Sequence, residues 1–235
     1  MEPAKHILGT FDEALRALRK SVLMMSSLSD QNLTNAMQGV LGRDDELCAL
    51  AIADDEEVDQ LEKQIDRDGV ELLLRYQPVA SDLRRVVSTI KLNSNLERIA
   101  DQAVSIGRRG RKLNRHPALA EAQLLEPMQQ LAMSMFRESV DAYVREDVEL
   151  ARGLKARDKV LDEMNSNVGR ELTEKMARDP EQLRGYLNLM FIARCLERVG
   201  DHATNIAEDA VYAAAAEDIR HQPHIASEAD RKAGG

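Results

Sequence analysis

Leu96-Glu97-Arg98-Ile99-Ala100-Asp101-Gln102-Ala103 and Leu196-Glu197-Arg198-Val199-Gly200-Asp201-His202-Ala203 follow one pattern, 100 residues apart, and Ile106 and Ile206 continue it. Upstream of each, a second pair matches at an offset of 103: Ala53-x-Asp55-x-x-x-Asp59 and Ala156-x-Asp158-x-x-x-Asp162. A repeat of this period is a duplicated domain rather than a solenoid. Within the first copy Leu92, Leu96, Ile99, Ala103 and Ile106 recur at alternating spacings of 4 and 3, which is one apolar stripe along a helix. Ile192, Leu196, Val199, Ala203 and Ile206 repeat it in the second. Turning about 100° per residue puts Glu97 and Asp101, and Glu197 and Asp201, on nearly the opposite side. These acids are expected on an outward face.

The prolines divide the chain. Pro78 and Pro180 mark tight helix–helix turns, and Asn114 to Pro117 links the two halves. Ser29-Asp30 and Glu146-Asp147 read as helix starts. The result is an all-α fold of six long helices, roughly 3–28, 30–75, 79–114, 118–145, 147–177 and 181–216. They form two tandem three-helix units, 1–115 and 116–216, followed by a flexible tail, 217–235, whose small polar end from Gln222 is expected to fray.

The turns also serve as rulers. Asp59 lies 19 residues before Pro78 and Glu97 19 after it; Asp55 and Asp101 lie 23 before and 23 after. In an antiparallel pair of equal rise, all four reach one height. Around Pro180 the distances are 18 and 22 before (Asp162, Asp158) and 17 and 21 after (Glu197, Asp201), a mismatch of one residue. Each half therefore gathers four carboxylates from two neighbouring helices. Four such groups repel one another unless a cation stands between them. An all-oxygen cluster suits hard cations and can also hold iron, manganese or zinc. The expected metal-binding residues are Asp55, Asp59, Glu97 and Asp101, and Asp158, Asp162, Glu197 and Asp201. The plainer alternative is a solvated acidic face partnered by Arg98 and Arg198.

Composition narrows the function. With 3% aromatics, no Trp, 12 Gly and 6 Pro, the chain is a poor candidate for a β-sandwich or barrel. Its apolar runs are too short to span a bilayer, and Met1–Thr10 has no secretory pattern. The net charge of −9 argues against a nucleic-acid partner. Cys48 and Cys195 suggest no disulfide framework and are expected reduced in the cytoplasm. No phosphate-binding or dinucleotide loop is present, and Cys195 has the context of a core residue rather than a nucleophile. A ferritin-like redox site would need Glu-x-x-His on two helices, whereas His202 lies five residues after Glu197. His6, His116, His221 and His224 have no ligand spacing, and Met24, Met25, Met128, Met133 and Met135 read as core fillers. Arg108, Arg109, Arg111, Lys112 and Arg115 cluster at a helix C-terminus, where cations are favoured anyway; docking to an anionic partner or membrane surface is the other reading.

Taken together, Leu-Glu-Arg-Ile-Ala-Asp at 96–101, Leu-Glu-Arg-Val-Gly-Asp-His-Ala-Thr-Asn-Ile-Ala-Glu at 196–208, and the acidic motifs upstream resemble the PhoU family of phosphate-uptake regulators. Lys5-His6-Ile7 with Phe11, and Gln77-Pro78-x-Ala80-x-Asp82-Leu83-Arg84, are similar to that family as well. The resemblance covers residues 4–216. One departure is Ala100, where the second motif has Gly200, the more usual residue. The resemblance implies two pseudo-symmetric three-helix bundles. It implies a cytoplasmic, non-enzymatic negative regulator that associates with the ATPase subunit of the phosphate ABC transporter and with the phosphate-sensing histidine kinase. It further implies a multinuclear metal cluster on the eight acids above, iron or zinc first, with manganese, magnesium or calcium as further candidates. A homodimer with peripheral association to membrane complexes is expected. The competing functional class is a carboxylate-bridged helical-bundle enzyme or metal store, and the third is an all-helical scaffold without metal.

Overall fold

The computed structural model describes residues 3–220, with side chains from Gly9 onward. The side chains of Lys5, His6 and Ile7, and all of His221, His224 and the tail from Gln222, lie outside the described residues. Every regular element described is helical: α1 (Pro3–Leu41), α2 (Asp45–Ala53), α3 (Asp55–Tyr76), α4 (Ala80–Leu113), α5 (Leu125–Arg145), α6 (Val148–Arg178) and α7 (Leu183–Ala215), with short 3-10 turns at Ala120–Leu124 and Pro180–Gln182. The first bundle is α1, the broken rod α2–α3, and α4; the second is α5, α6 and α7. No described helix is long and apolar enough to cross a membrane.

The first reversal is not where Ser29-Asp30 predicts it. A capping residue alone does not end a helix, and no Gly or Pro stands near these two positions. Ser29 is buried and donates its hydroxyl back to Met25 O at 2.9 Å, while both carboxylate oxygens of Asp30 accept from Arg137 on α5, at 2.8 and 3.0 Å. α1 therefore runs on for 39 residues. The chain turns instead at Gly42-Arg43-Asp44, where Arg43 has φ 56° and Asp44 caps α2 by accepting from the amides of Glu46 and Leu47 at 2.8 and 3.1 Å. The expected second helix is further divided at Asp54 into α2 and α3, and the other boundaries fall within a few residues of expectation, except that the fourth expected helix begins at Leu125 rather than 118. There Pro127 occupies the first turn of α5 and the preceding residues form a 3-10 turn.

The two predicted stripes are the spines of the cores. Leu92, Leu96, Ile99, Ala103 and Ile106 are fully buried, and so are Ile192, Leu196, Val199, Ala203 and Ile206. Burying each Leu, Ile or Val of the stripes contributes about 1.5–3 kcal/mol, and each Ala less. Met25, Met128, Met133 and Met135 fill the interior as expected; Met24 faces outward at 49% exposure. Cys48 and Cys195 are buried free thiols.

α4 and α7 cross between the bundles, antiparallel and in a register fixed by polar pairs. Lys91 Nζ lies 3.3 Å from Asp209 Oδ1, His202 Nδ1 is 3.1 Å from Asn95 Oδ1, and Arg109 Nη1 is 3.4 Å from Asn188 Oδ1. Residue 100 + k on α4 thus meets residue 200 − k or thereabouts on α7, with Ala100 and Gly200 at equivalent heights. This is the relation a pseudo-two-fold axis between two copies requires. It sets the two acid motifs on the two sides of the central pair. The Asp30–Arg137 clamp and the ion pairs of Glu146 with Arg19 and Arg85, at 3.1 and 3.2 Å, tie α1 and α4 to α5 and its C-cap.

Candidate metal centre

In the first bundle Asn93 fixes how α3 sits against α4. Its Nδ2 donates to Glu62 O at 3.0 Å and to Asp66 Oδ1 at 2.9 Å. One turn onward along α4 comes Glu97; one turn back along α3 comes Asp59. The acid pairs of the two helices are thereby brought to one level. Their electrostatics follow from that placement. Burial raises the pKa of Asp55, and Asp59 and then Asp101 add to it, with Arg108 opposing. Glu97 is pushed up to about 7, first by burial, then by Asp101, with Arg98 opposing and Glu62 adding. Arg98 leans over the α4 pair, its Nε 3.3 Å from Glu97 Oε2 and its Nη1 3.5 Å from Asp101 Oδ2.

The second bundle repeats the arrangement with less cationic cover. Asp158 rises to about 6, through burial and then Asp201, Asp162 and Glu197. Glu197 is raised by burial, Asp201 and Asp162, and Asp201 by burial and Asp162. Arg198 faces both Glu197 and Asp201 but, among the described residues, reaches ion-pair distance of neither. Gly200 permits the close approach of α6 here: a Cβ on it would collide with the Leu161 side chain and come within 3.4 Å of Asp158 Oδ1. Thr204, 9% exposed, also faces Asp158 and favours its ionised form, yet its Oγ1 has no hydrogen-bond partner of ordinary geometry.

The eight expected acids thus stand as two sets, each made of two opposed helical faces. They are half-buried or exposed at the surface, as the stripe geometry predicts. The sequence reading passed over Glu62 and Asp66. Asp55, Asp59, Glu62 and Asp66 recur at spacings of 4, 3 and 4 along one face, so the signal was present. The positions matching Glu62 and Asp66 in the second copy are Asn165 and Gly169, so the first patch is the richer in carboxylate.

The donor set fits a hard cation: it is all-oxygen and mutually repelling, and burial first, then the neighbouring carboxylates, raise the pKa of Asp55, Glu97, Asp158, Glu197 and Asp201. Among the described residues no three Asp, Glu, His or Cys side chains are arranged to hold one ion as they stand. His202 takes no part, because it points across to Asn95, and burial and the nearby Arg98 and Arg198 hold its pKa down.

Similarity to known proteins agrees with this architecture. A sequence model of the PhoU domain matches residues 22–110 and again 125–210, one match per bundle. A phosphate-specific transport system accessory protein PhoU homologue of Caulobacter vibrioides is 34% identical over 205 residues, covering 87% of this chain and 89% of that one. The homologue from Pseudomonas aeruginosa is 33% identical over 217 residues, 92% and 90% of the two chains. The crystal structure of PhoU from Pseudomonas aeruginosa superposes with a TM-score of 0.86 at 32% identity, covering 88% of this chain and all of that one. That of the phosphate transport system regulatory protein PhoU from Streptococcus pneumoniae gives 0.82 at 27% identity, over 89% and 99%. With the same duplicated sequence and the same paired bundles, the chain belongs to the PhoU family.

Proposed function

We propose that the protein is a regulator of phosphate uptake that works by holding and presenting surfaces rather than by turning over a substrate. Its relatives are named as accessory or regulatory proteins of phosphate transport systems, which supports association with that machinery. The observation that carries the reading is the pair of opposed carboxylate faces, one per bundle, half-buried or exposed on α3–α4 and α6–α7. Asp55, Asp59, Glu97 and Asp101 would hold cations in the first, with Glu62 alongside; Asp158, Asp162, Glu197 and Asp201 would hold them in the second. Iron or zinc are the first candidates, and the all-oxygen donor set also admits manganese, magnesium or calcium. A bound cation would relieve the repulsion between the helices of each pair and so fix their spacing.

The surfaces so fixed would dock on the ATPase subunit of a phosphate ABC transporter and on a phosphate-sensing histidine kinase, as an adapter with a repressing effect, in the cytoplasm and as a homodimer. Co-purification of these partners with the wild-type chain and with Glu97→Ala/Asp101→Ala tests the link. Weakened capture that follows metal loss supports it. Unchanged capture after confirmed metal loss contradicts it.

A further inference from the structure

Between the C-terminal half of α4 and the N-terminal half of α7 lies a cleft of about 390 Å³ whose lining carries Arg108, Arg109, Lys112, Arg194 and Arg198 and no acidic side chain. We infer that this cleft binds a short chain of condensed phosphate, either as inorganic triphosphate or as the phosphate tail of a nucleoside triphosphate. This goes beyond the cation reading and uses none of its ligands.

Packing does not explain the five charges. By the pseudo-two-fold relation the same seam at its other end is built from Lys91, Ser94, Asn95 and Arg98 against Asn205, Glu208, Asp209 and Tyr212. There the chain balances its charges: Lys91 pairs with Asp209 at 3.3 Å and sits 5.4 Å over the Tyr212 ring. The duplicated architecture therefore tolerates a compensated seam, and only one end has become purely cationic. The preference of cations for helix C-termini covers Lys112 in the last turn of α4. It does not cover Arg194 and Arg198, which stand in the interior of α7. Arg108 faces Asp55, and Arg194 and Arg198 face Glu197, but among the described residues none of the three reaches ion-pair distance of a carboxylate.

The ligand class follows from charge and shape. Guanidinium groups match the oxygens of phosphates, as of carboxylates, in a bidentate way, so charge decides between them. Five cations exceed what one orthophosphate neutralises, whereas a triphosphate carries about four or five negative charges. Arg109 is already held in place, its guanidinium 4.0 Å above the Phe191 ring and bonded to Asn188. Phe191 and Arg194 also border a neighbouring groove of about 380 Å³, lined by Leu187, Met190 and Gly169, which gives a nucleoside an apolar ledge beside its phosphates.

Isothermal titration of the full chain in magnesium-free buffer, with sodium tripolyphosphate, ATP and orthophosphate in turn, tests the inference. Saturable binding of tripolyphosphate is expected, with orthophosphate much weaker. Arg108→Gln and Arg194→Gln should each weaken binding at least about tenfold, while Arg170→Gln, an equal loss of charge at an exposed site, should not. ATP bound more tightly than tripolyphosphate, with that preference abolished by Phe191→Ala, assigns the site to nucleotides. Equal affinity assigns it to the inorganic chain. Circular dichroism confirms that each variant is folded. The inference is overturned if no saturable binding occurs, or if binding survives both arginine changes but is lost in Glu97→Gln/Asp101→Asn. It is also overturned if only anionic phospholipid vesicles or acidic peptides bind in an arginine-dependent manner.

Discussion

Replacing Glu97 by Gln should make the metal-free protein more stable, not less, above neutral pH. Burial and the neighbouring Asp101 raise the Glu97 pKa from 4.5 to about 7. At 1.36 kcal/mol per unit that corresponds to about 3 kcal/mol of strain on the ionised form. Glu97 keeps 19% of its side-chain exposure and Asp101 45%, so solvent screening, together with the lost contact to Arg98, reduces the expected gain to about 1–2 kcal/mol. The sign follows from proton binding. Between pH 4.5 and about 7 the folded state holds a proton that the unfolded state has released, so wild-type stability falls as pH rises through this window and stays reduced above it. Gln, always neutral, escapes the loss. The assay is urea unfolding followed by far-ultraviolet circular dichroism after exhaustive chelation, at about pH 4.5 and about pH 8. The variant should match wild type at the lower pH and exceed it at the higher, by an amount equivalent to about 2–8 °C in Tm. With cation restored the order should reverse, because Gln removes a ligand. A metal-free variant less stable than wild type at about pH 8, or a difference that does not change with pH, would refute the reasoning.

Lys91→Met should cost about 1–3 kcal/mol in urea unfolding, since it leaves Asp209, 8% exposed and already raised in pKa by burial, without its ion-pair and hydrogen-bond partner at 3.3 Å, Arg220 acting only from further off. Gly200→Ala sets a gain of about 1 kcal/mol in helix propensity against about 1–3 kcal/mol for displacing the buried Leu161 side chain. The net effect should be a loss of up to about 2 kcal/mol, read as a lower thermal midpoint. Asp44→Ala removes the cap that accepts from Glu46 and Leu47 and should lower stability by about 1 kcal/mol in the same measurement.

The parts of this fold legible in the sequence are those written in local periodicity. The stripe from Leu92 to Ile106 and its copy from Ile192 to Ile206 fix which faces are interior, and the turn at Pro78 fixes the antiparallel register of α3 on α4 in which Asn93 reaches Glu62 and Asp66. Where a local signal competes with tertiary packing, reading is harder. Ser29-Asp30 has the chemistry of a helix start, but Asp30 is committed to Arg137, more than a hundred residues away, and α1 continues through it. The true break at Gly42-Arg43-Asp44 carries its own signals, a glycine and a capping aspartate, which a search anchored on proline passes over. Glu62 and Asp66 lie on a regular spacing with Asp55 and Asp59, but one with no copy in the second half, so the repeat gave no prompt. The cationic cleft was half visible as the run Arg108–Arg115. Arg194 and Arg198 join it only because the two halves cross at α4 and α7, and nothing in either helix alone reports that crossing.

The central claim is that the two carboxylate faces hold cations. Elemental analysis by mass spectrometry, on full-length chain purified without chelator beside Glu97→Gln/Asp101→Asn and Asp158→Asn/Asp162→Asn, tests it most directly. Metal in the wild type, with a separate part of it lost in each double variant, is the predicted result. A wild-type chain free of metal, or three proteins of equal metal content, would contradict it.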